Sequence, residues 1–171
     1  MRLISSPTSN AVLYLGKIIT YLIICLLQFY AILLIAKLVF PFMQLPELNL
    51  SGNKVLLMSL LTLTAGIAAI SLGILLGIIC KTQEQSAPFG ATFVVILAAI
   101  GGVWIPVFAM SDAMQVLSKT SPMNWALNGY YDIMLRNGSL IDIIPEMLLL
   151  TLFFAVLITF ALLYDKEKRT V

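Results

Sequence analysis

Histidine is absent from this chain of 171 residues, and charged residues make up only 11% of it. Without histidine the chain cannot carry serine–histidine or cysteine–histidine catalysis, and it offers no imidazole to a metal ion. The formal net charge of +2 is too small to indicate a nucleic-acid partner. Its two cysteines, Cys25 and Cys80, cannot build a disulfide framework, and we expect both to be free thiols. The sequence therefore predicts no cofactor and no metal site.

Apolar residues dominate what is present. Hydrophobic side chains make up 61% of the chain, whereas a soluble domain has about 45–50%. A single core of this size cannot hide that much apolar surface from water, so the composition excludes a soluble globular domain. It also excludes a disordered chain, because disorder requires low hydrophobicity. The composition therefore indicates a membrane protein.

The charged residues divide the chain into four long uncharged stretches. The spans predicted from them cover about residues 18–36, 55–80, 88–110 and 147–164. A helix needs roughly 20 apolar residues to cross a bilayer core of about 30 Å, and each stretch is close to that length. Helices are favoured because an isolated strand would leave backbone groups unpaired in lipid. We predict one all-α, polytopic integral membrane domain over residues 1–171, with four transmembrane helices.

The distribution of basic residues predicts the orientation. Four spans place both termini on one side of the membrane, and the basic tail at 166–169 directly follows the last span. Because cytoplasmic segments carry an excess of lysine and arginine, we expect both termini to be cytoplasmic. The first residues lack the pattern of a cleavable signal peptide, so the first span should remain in the membrane.

The connection between the third and fourth spans predicts an extracytoplasmic helix at about 122–136. Ser121-Pro122 is a typical helix start, and Asn137-Gly138 is a typical end. One face is polar and the other apolar, so we expect an amphipathic helix that lies on the outer membrane surface or dips into it. The polar face carries Asn124, Asn128, Asp132 and Arg136, and the apolar face carries Met123, Leu127, Tyr130 and Met134.

Two further signals flank this helix. The third span contains Gly101-Gly102 and Pro106, which predict a break and a re-entrant path. Before the last span, Ser139 and Asp142 have the spacing of a capping box.

Small and polar residues inside the spans suggest helix packing. Ala65, Ala69, Gly73 and Gly77 recur every four residues in the second span, and such a stripe lets another helix approach closely. The neighbour could be a span of the same chain or of another subunit. Gln28 lies near the middle of the first span, where an amide needs a hydrogen-bonding partner, either another helix or a substrate.

The four predicted spans contain no acidic or basic residue, which argues against ion-coupled transport and against an intramembrane hydrolase. Gly16-Lys17 does not form a phosphate loop, because Ala11 and Ile18 occupy the positions where that motif needs glycine and a hydroxyl residue. We therefore predict that the chain is not an enzyme. If it takes part in active transport, the energy must come from a partner subunit.

Segments in four parts of the chain share the order and spacing of a known family. They are Ser6-Pro7-Thr8-Ser9 with Leu15-Gly16-Lys17, the loop at 81–85, the set Gly101-Gly102, Pro106, Ser121-Pro122, Trp125, Ala126 and Gly129, and the last span with its basic tail. Together they resemble the type-2 ATP-binding-cassette (ABC) exporter permeases: a coupling segment, a second cytoplasmic loop, a re-entrant region and a final span. The resemblance covers nearly the whole chain.

The resemblance implies two sites. Ser6, Pro7 and Thr8 would contact a nucleotide-binding ATPase subunit, and Glu84 would form a second, smaller contact. Polar segments beside a membrane can also be solvated linkers, which is the alternative for both. An outer gate would be formed by Trp104, Pro106, Trp125, Asp132 and Arg136, with a cover lying on the membrane interface as the alternative for the helix.

We therefore predict the permease subunit of an ABC exporter, or its C-terminal portion, which couples ATP hydrolysis on a partner to efflux of a hydrophobic or amphipathic substrate. Permeases of the resembled family have six spans, so we expect a second permease half or a homodimer in the lipid bilayer. The resemblance implies a bacterial inner membrane. The alternative is a non-transporting four-span assembly or regulatory subunit.

Overall fold

The computed structural model describes residues 10–44, 50–80 and 82–170, and these ranges contain helices but no strand. Four helices are long and apolar enough to cross a membrane, and they lie at Asn10–Phe42, Gly52–Ile79, Gln83–Gly101 and Leu140–Thr170. The prediction of an all-α protein with four candidate transmembrane helices is confirmed. The helices are α1 (Asn10–Phe42), α2 (Gly52–Ile79), α3 (Gln83–Gly101), α4 (Asp112–Ser118), α5 (Pro122–Met134) and α6 (Leu140–Thr170), with a short 3-10 helix at Val107–Ala109.

The helices run beyond the uncharged stretches from which the spans were predicted. Helix α1 has 33 residues, which corresponds to about 50 Å at 1.5 Å per residue and exceeds a hydrocarbon core of about 30 Å. Lys17 and Lys37 lie near its two ends. Long lysine side chains can reach the membrane interface from such positions, so a charge does not end the helix.

Helix α3 ends earlier than predicted. The predicted third span extended to residue 110, whereas the helix ends at Gly101. Gly102 has a φ of 90°, the left-handed conformation that glycine adopts without a steric penalty, and its N–H donates to the Ala98 carbonyl. A Cβ on Gly101 would lie 2.7 Å from the Met123 Cβ. The predicted break is therefore confirmed at this glycine pair.

The core of the bundle surrounds α2, which packs against α1, α3, α5 and α6. Helix α1 packs mainly on α2, and most of its side chains are exposed. The largest buried core residues come from α2, α5 and α6: Leu57, Met58, Leu61, Ile133, Ile143 and Leu150.

Three hydrogen bonds define the path of α5. At its N-terminus, the Ser121 hydroxyl donates to the Leu97 carbonyl of α3 at 3.0 Å. Further along, the Tyr130 and Thr62 hydroxyls are 2.8 Å apart. Beyond its C-terminus, Lys54 Nζ donates to Asn137 Oδ1 at 2.6 Å. The helix therefore rises inside the bundle from α3 to the start of α2.

These contacts place helix α5 inside the bundle, against α2, α3 and α6. Its position relative to the membrane, on the outer surface or dipping into it, stays a prediction. The helix ends at Met134, two residues before the predicted end. The capping box is present, because the Ser139 N–H and hydroxyl both donate to Asp142 Oδ2, at 2.7 and 2.9 Å.

The bundle has two ends, which we name after their lysines. At the Lys54 end, α2 and α6 begin, joined through the Lys54–Asn137 hydrogen bond. At the Lys17 end, the first part of α1 lies beside the last part of α2, where Lys17 and Gly77 line one groove.

We expect the two glycines Gly101 and Gly73 to respond differently to alanine. Gly101→Ala should lower the thermal unfolding temperature in detergent, because overpacking costs about 1–3 kcal/mol. Gly73→Ala is the matched control. Its Cβ would meet open space, so the helix propensity of alanine should make it neutral or slightly stabilising. Equal unfolding temperatures for the two variants would contradict the tight packing of α3 on α5.

Candidate functional site

A cavity of about 320 Å³ lies in the middle of the bundle, and we call it the central cavity. Helices α1, α2, α3, α5 and α6 all contribute to its wall, and none of the described residues that line it is charged. Its polar groups are the Cys25 thiol and the paired hydroxyls of Thr62 and Tyr130. Because Thr62 also donates to the Met58 carbonyl at 2.6 Å, these hydroxyls are already satisfied. An apolar molecule is the ligand that such a wall can bind.

A second cavity, of about 330 Å³, lies between α4 and α5, and we call it the polar pocket. Its lining includes Asp112, Lys119, Asn124 and Asn128. The Asn128 amide donates to Asn124 Oδ1 at 3.0 Å, and the Asn124 amide donates to the Gly101 carbonyl at 3.1 Å. A polar or hydrated molecule suits this lining better than an apolar one.

Helix α5 separates the two cavities. Met123, Ala126 and Tyr130 line the central cavity, whereas Asn124 and Asn128 line the polar pocket. The two faces are the apolar and polar stripes of the sequence, but their surroundings differ from the prediction. Asn124 is buried rather than wet, because its amide satisfies a carbonyl that the broken end of α3 leaves without a helical partner.

The five residues predicted as an outer gate are not brought together around either cavity. The Trp125 indole N–H donates to the Lys119 carbonyl at 2.7 Å, and its ring meets Phe153 edge to face at 6.3 Å. Trp104 is exposed, and Pro106 precedes the short 3-10 helix.

The remaining two gate residues form the predicted i,i+4 ion pair, with Arg136 Nη1 2.6 Å from Asp132 Oδ1. A shared role of the five residues in gating stays a prediction.

The small-residue stripe of α2 divides into two parts. Ala65 packs against the buried core and lines the central cavity. A Cβ on Gly73 or Gly77 would have no neighbour within 4 Å. No described residue packs closely on these two glycines, and their predicted role in packing, within the chain or with another subunit, stays a prediction. The close-packed glycine of α2 is Gly66, where an added Cβ would lie 3.3 Å from Cys25 Sγ.

Gln28 lies on the exposed face of α1 and forms no hydrogen bond with any described residue. Its predicted contact, with another helix or with a substrate, stays a prediction. Both cysteines are free thiols, as expected.

The predicted coupling residues lie at the start of the chain and at the start of α3. Ser6, Pro7 and Thr8 are outside the described residues. Glu84 is exposed in the first turn of α3, where a carboxylate interacts favourably with the helix dipole. This helix is capped by Thr82, whose hydroxyl accepts from the Gln85 N–H at 3.3 Å. ATPase contact by these four residues stays a prediction.

The central cavity contains residues that the sequence did not identify as a site, notably Thr62, Met123 and Phe153. Apolar side chains in a membrane helix face lipid, a neighbouring helix or a cavity with the same composition. Their sequence pattern therefore carries no signal for a cavity. Only the break in α3, which positions α5, could have pointed to this region.

Comparison with known proteins now identifies the family. The family model described as ABC-2 family transporter protein matches residues 1–163. The chain belongs to the ABC-2 transporter family. Together with its four candidate membrane-spanning helices, this membership identifies the chain as an integral membrane protein.

One curated relative is the linearmycin resistance permease protein LnrN of Bacillus subtilis (strain 168). It is 27% identical over 163 residues, which cover 94% of this chain and 39% of the relative. The ABC-2 chain thus spans about two fifths of the length of that relative. No solved structure gives a significant match.

The central cavity can be tested with its own thiol. In a Cys80→Ser background, Ala126→Phe should fill part of the cavity and slow labelling of Cys25 by N-ethylmaleimide several-fold, as followed by mass spectrometry. The control is Ala109→Phe, because Ala109 is exposed outside both cavities. Unchanged labelling in the Ala126 variant would show that Cys25 is not reached through this cavity.

Proposed function

We propose that this ABC-2 chain is the permease subunit of an exporter, or its C-terminal portion, and that it moves a hydrophobic or amphipathic substrate. The observation that carries the proposal is the uncharged central cavity closed on one side by the re-entrant helix α5. Its apolar wall suits an apolar part of a substrate. The polar pocket on the opposite face of α5 offers amide groups and charges to a substrate that is leaving.

Gating in this proposal is a movement of α5. The helix lies between short connections, with the Gly101-Gly102 turn and α4 before it and Asn137-Gly138 after it. A shift of α5 away from α2 would separate the Tyr130 and Thr62 hydroxyls and join the two cavities. The described part of the cavity wall carries no carboxylate or lysine, which supports a partner subunit rather than ion coupling as the source of energy for this shift.

ATP binding and hydrolysis on a partner ATPase supply that energy in our proposal. Ser6, Pro7 and Thr8, with Glu84, receive the movement on the cytoplasmic side of a bacterial inner membrane, where both termini lie. The relative in Bacillus subtilis is a resistance permease, which supports export of a toxic compound as the physiological role.

A second permease half, or a second copy of the chain, completes the transport path. The exposed position of Gln28 supports this partner, because an amide facing hydrocarbon costs free energy until another helix satisfies it.

The proposal is tested by co-expressing the chain with an ATPase that carries a phosphate loop and is encoded by an adjacent gene. We expect the two proteins to co-purify and the ATPase activity in lipid to depend on the chain. Replacing Ser6, Pro7 and Thr8 with glycine should remove this dependence, because the contact that transmits movement is lost.

The control for this triple variant is Ser51→Gly with Asn53→Gly, a short exposed segment at the opposite end of the bundle. It should leave co-purification and ATPase activity unchanged. Absence of any association, or an equal effect of both variants, would favour a non-transporting assembly or regulatory subunit.

A further inference from the structure

A third cavity, an open groove of about 610 Å³, lies at the Lys17 end between α1 and α2. One wall is formed by Tyr14, Lys17 and Tyr21 of α1. These positions differ by three and four residues, so their side chains share one helix face. The opposite wall is the last part of α2, where Gly73 and Gly77 leave open space beside isoleucine side chains. Among the described residues, the groove thus combines a largely apolar wall with two tyrosines and a single cation, Lys17.

The position of Lys17 in the sequence indicates how deep its ammonium group lies in the membrane. It is the last charged residue before the uncharged stretch 18–36, which places its ammonium group at the level of the lipid headgroups. It is exposed and forms no hydrogen bond or ion pair with any described residue. Tyrosines are frequent at the same level, because their rings are apolar and their hydroxyls polar.

A partner transmembrane helix and a phospholipid are the two occupants that could fill such a groove, and the positive charge of Lys17 distinguishes between them. A transmembrane helix of a partner would cover Lys17, and burying an ammonium group costs several kcal/mol unless the partner supplies a carboxylate. A phospholipid leaves Lys17 at the interface and brings its own negative charge, while its acyl chain fits the apolar wall. Basic pockets between membrane helices bind anionic lipid headgroups in this way.

We propose that the groove at the Lys17 end binds an anionic phospholipid of the surrounding bilayer. Lys17 binds the headgroup phosphate, Tyr14 and Tyr21 flank it, and one acyl chain lies along Gly73 and Gly77. The bound lipid fills a gap that would otherwise separate the first turns of α1 from the last turns of α2. The groove shares only Ala69 with the described lining of the central cavity, and Tyr14, Lys17 and Gly77 lie outside that cavity, so the proposal does not depend on what the chain transports.

The experiment mixes the purified full chain in detergent with equal amounts of phosphatidylglycerol and phosphatidylcholine and counts retained lipids by native mass spectrometry. The wild-type chain should retain phosphatidylglycerol preferentially. Lys17→Gln should reduce this preference roughly fivefold, the effect of one lysine near an anionic headgroup. Gly77→Leu should reduce retention of phosphatidylglycerol without a change of charge, because its side chain fills the groove.

The matched control is Lys37→Gln on the same helix, since Lys37 is also exposed but lies outside the groove. It should retain lipid as the wild type does. The proposal is overturned if Lys17→Gln binds as the wild type does, if both lysine variants lose the preference equally, or if Gly77→Leu retains the lipid. It is also overturned if the introduced thiol of a Gly77→Cys variant crosslinks to a partner helix in most molecules in the native membrane.

Discussion

The structure depends on two hydrogen bonds that side chains of the α5 segment donate to the end of α3. A helix that stops inside a membrane leaves its last carbonyls without partners, and lipid cannot satisfy them. Ser121 donates to the Leu97 carbonyl and Asn124 donates to the Gly101 carbonyl. Because Gly101 has no side chain, α5 approaches closely enough for both bonds.

The consequence of this junction is a helix that serves as an internal wall. Its apolar face, including Ala126, closes the central cavity, and its polar face, including Asn128, lines the polar pocket. At the far end, the Lys54–Asn137 hydrogen bond connects the chain after α5 to the start of α2. Hydrophobic packing also holds α5, because Ile133 is fully buried in the core and the helix contacts α2, α3 and α6. A movement of α5 must therefore exchange these contacts for others.

The sequence predicted the helical class, the number of spans and the break at Gly101-Gly102. The hydropathy of a stretch and the conformational freedom of glycine can both be read from a short segment of sequence. The sequence also predicted both faces of α5. It did not predict that Asn124 is buried, since amphipathicity reports which side chains are polar but not whether water or a carbonyl satisfies them. The open positions of Gly73 and Gly77 were equally hidden, because a small residue suits a close contact and an empty groove alike.

The most direct test of this account is a distance measurement by pulsed electron paramagnetic resonance. Spin labels would be attached at Thr120, just before α5, and at the exposed Leu152 of α6, after both native cysteines are replaced by serine. The account predicts one narrow distance distribution, which Asn124→Leu broadens or shifts because α5 loses its bond to α3. An unchanged distribution in that variant would show that the two hydrogen bonds do not hold α5 in place.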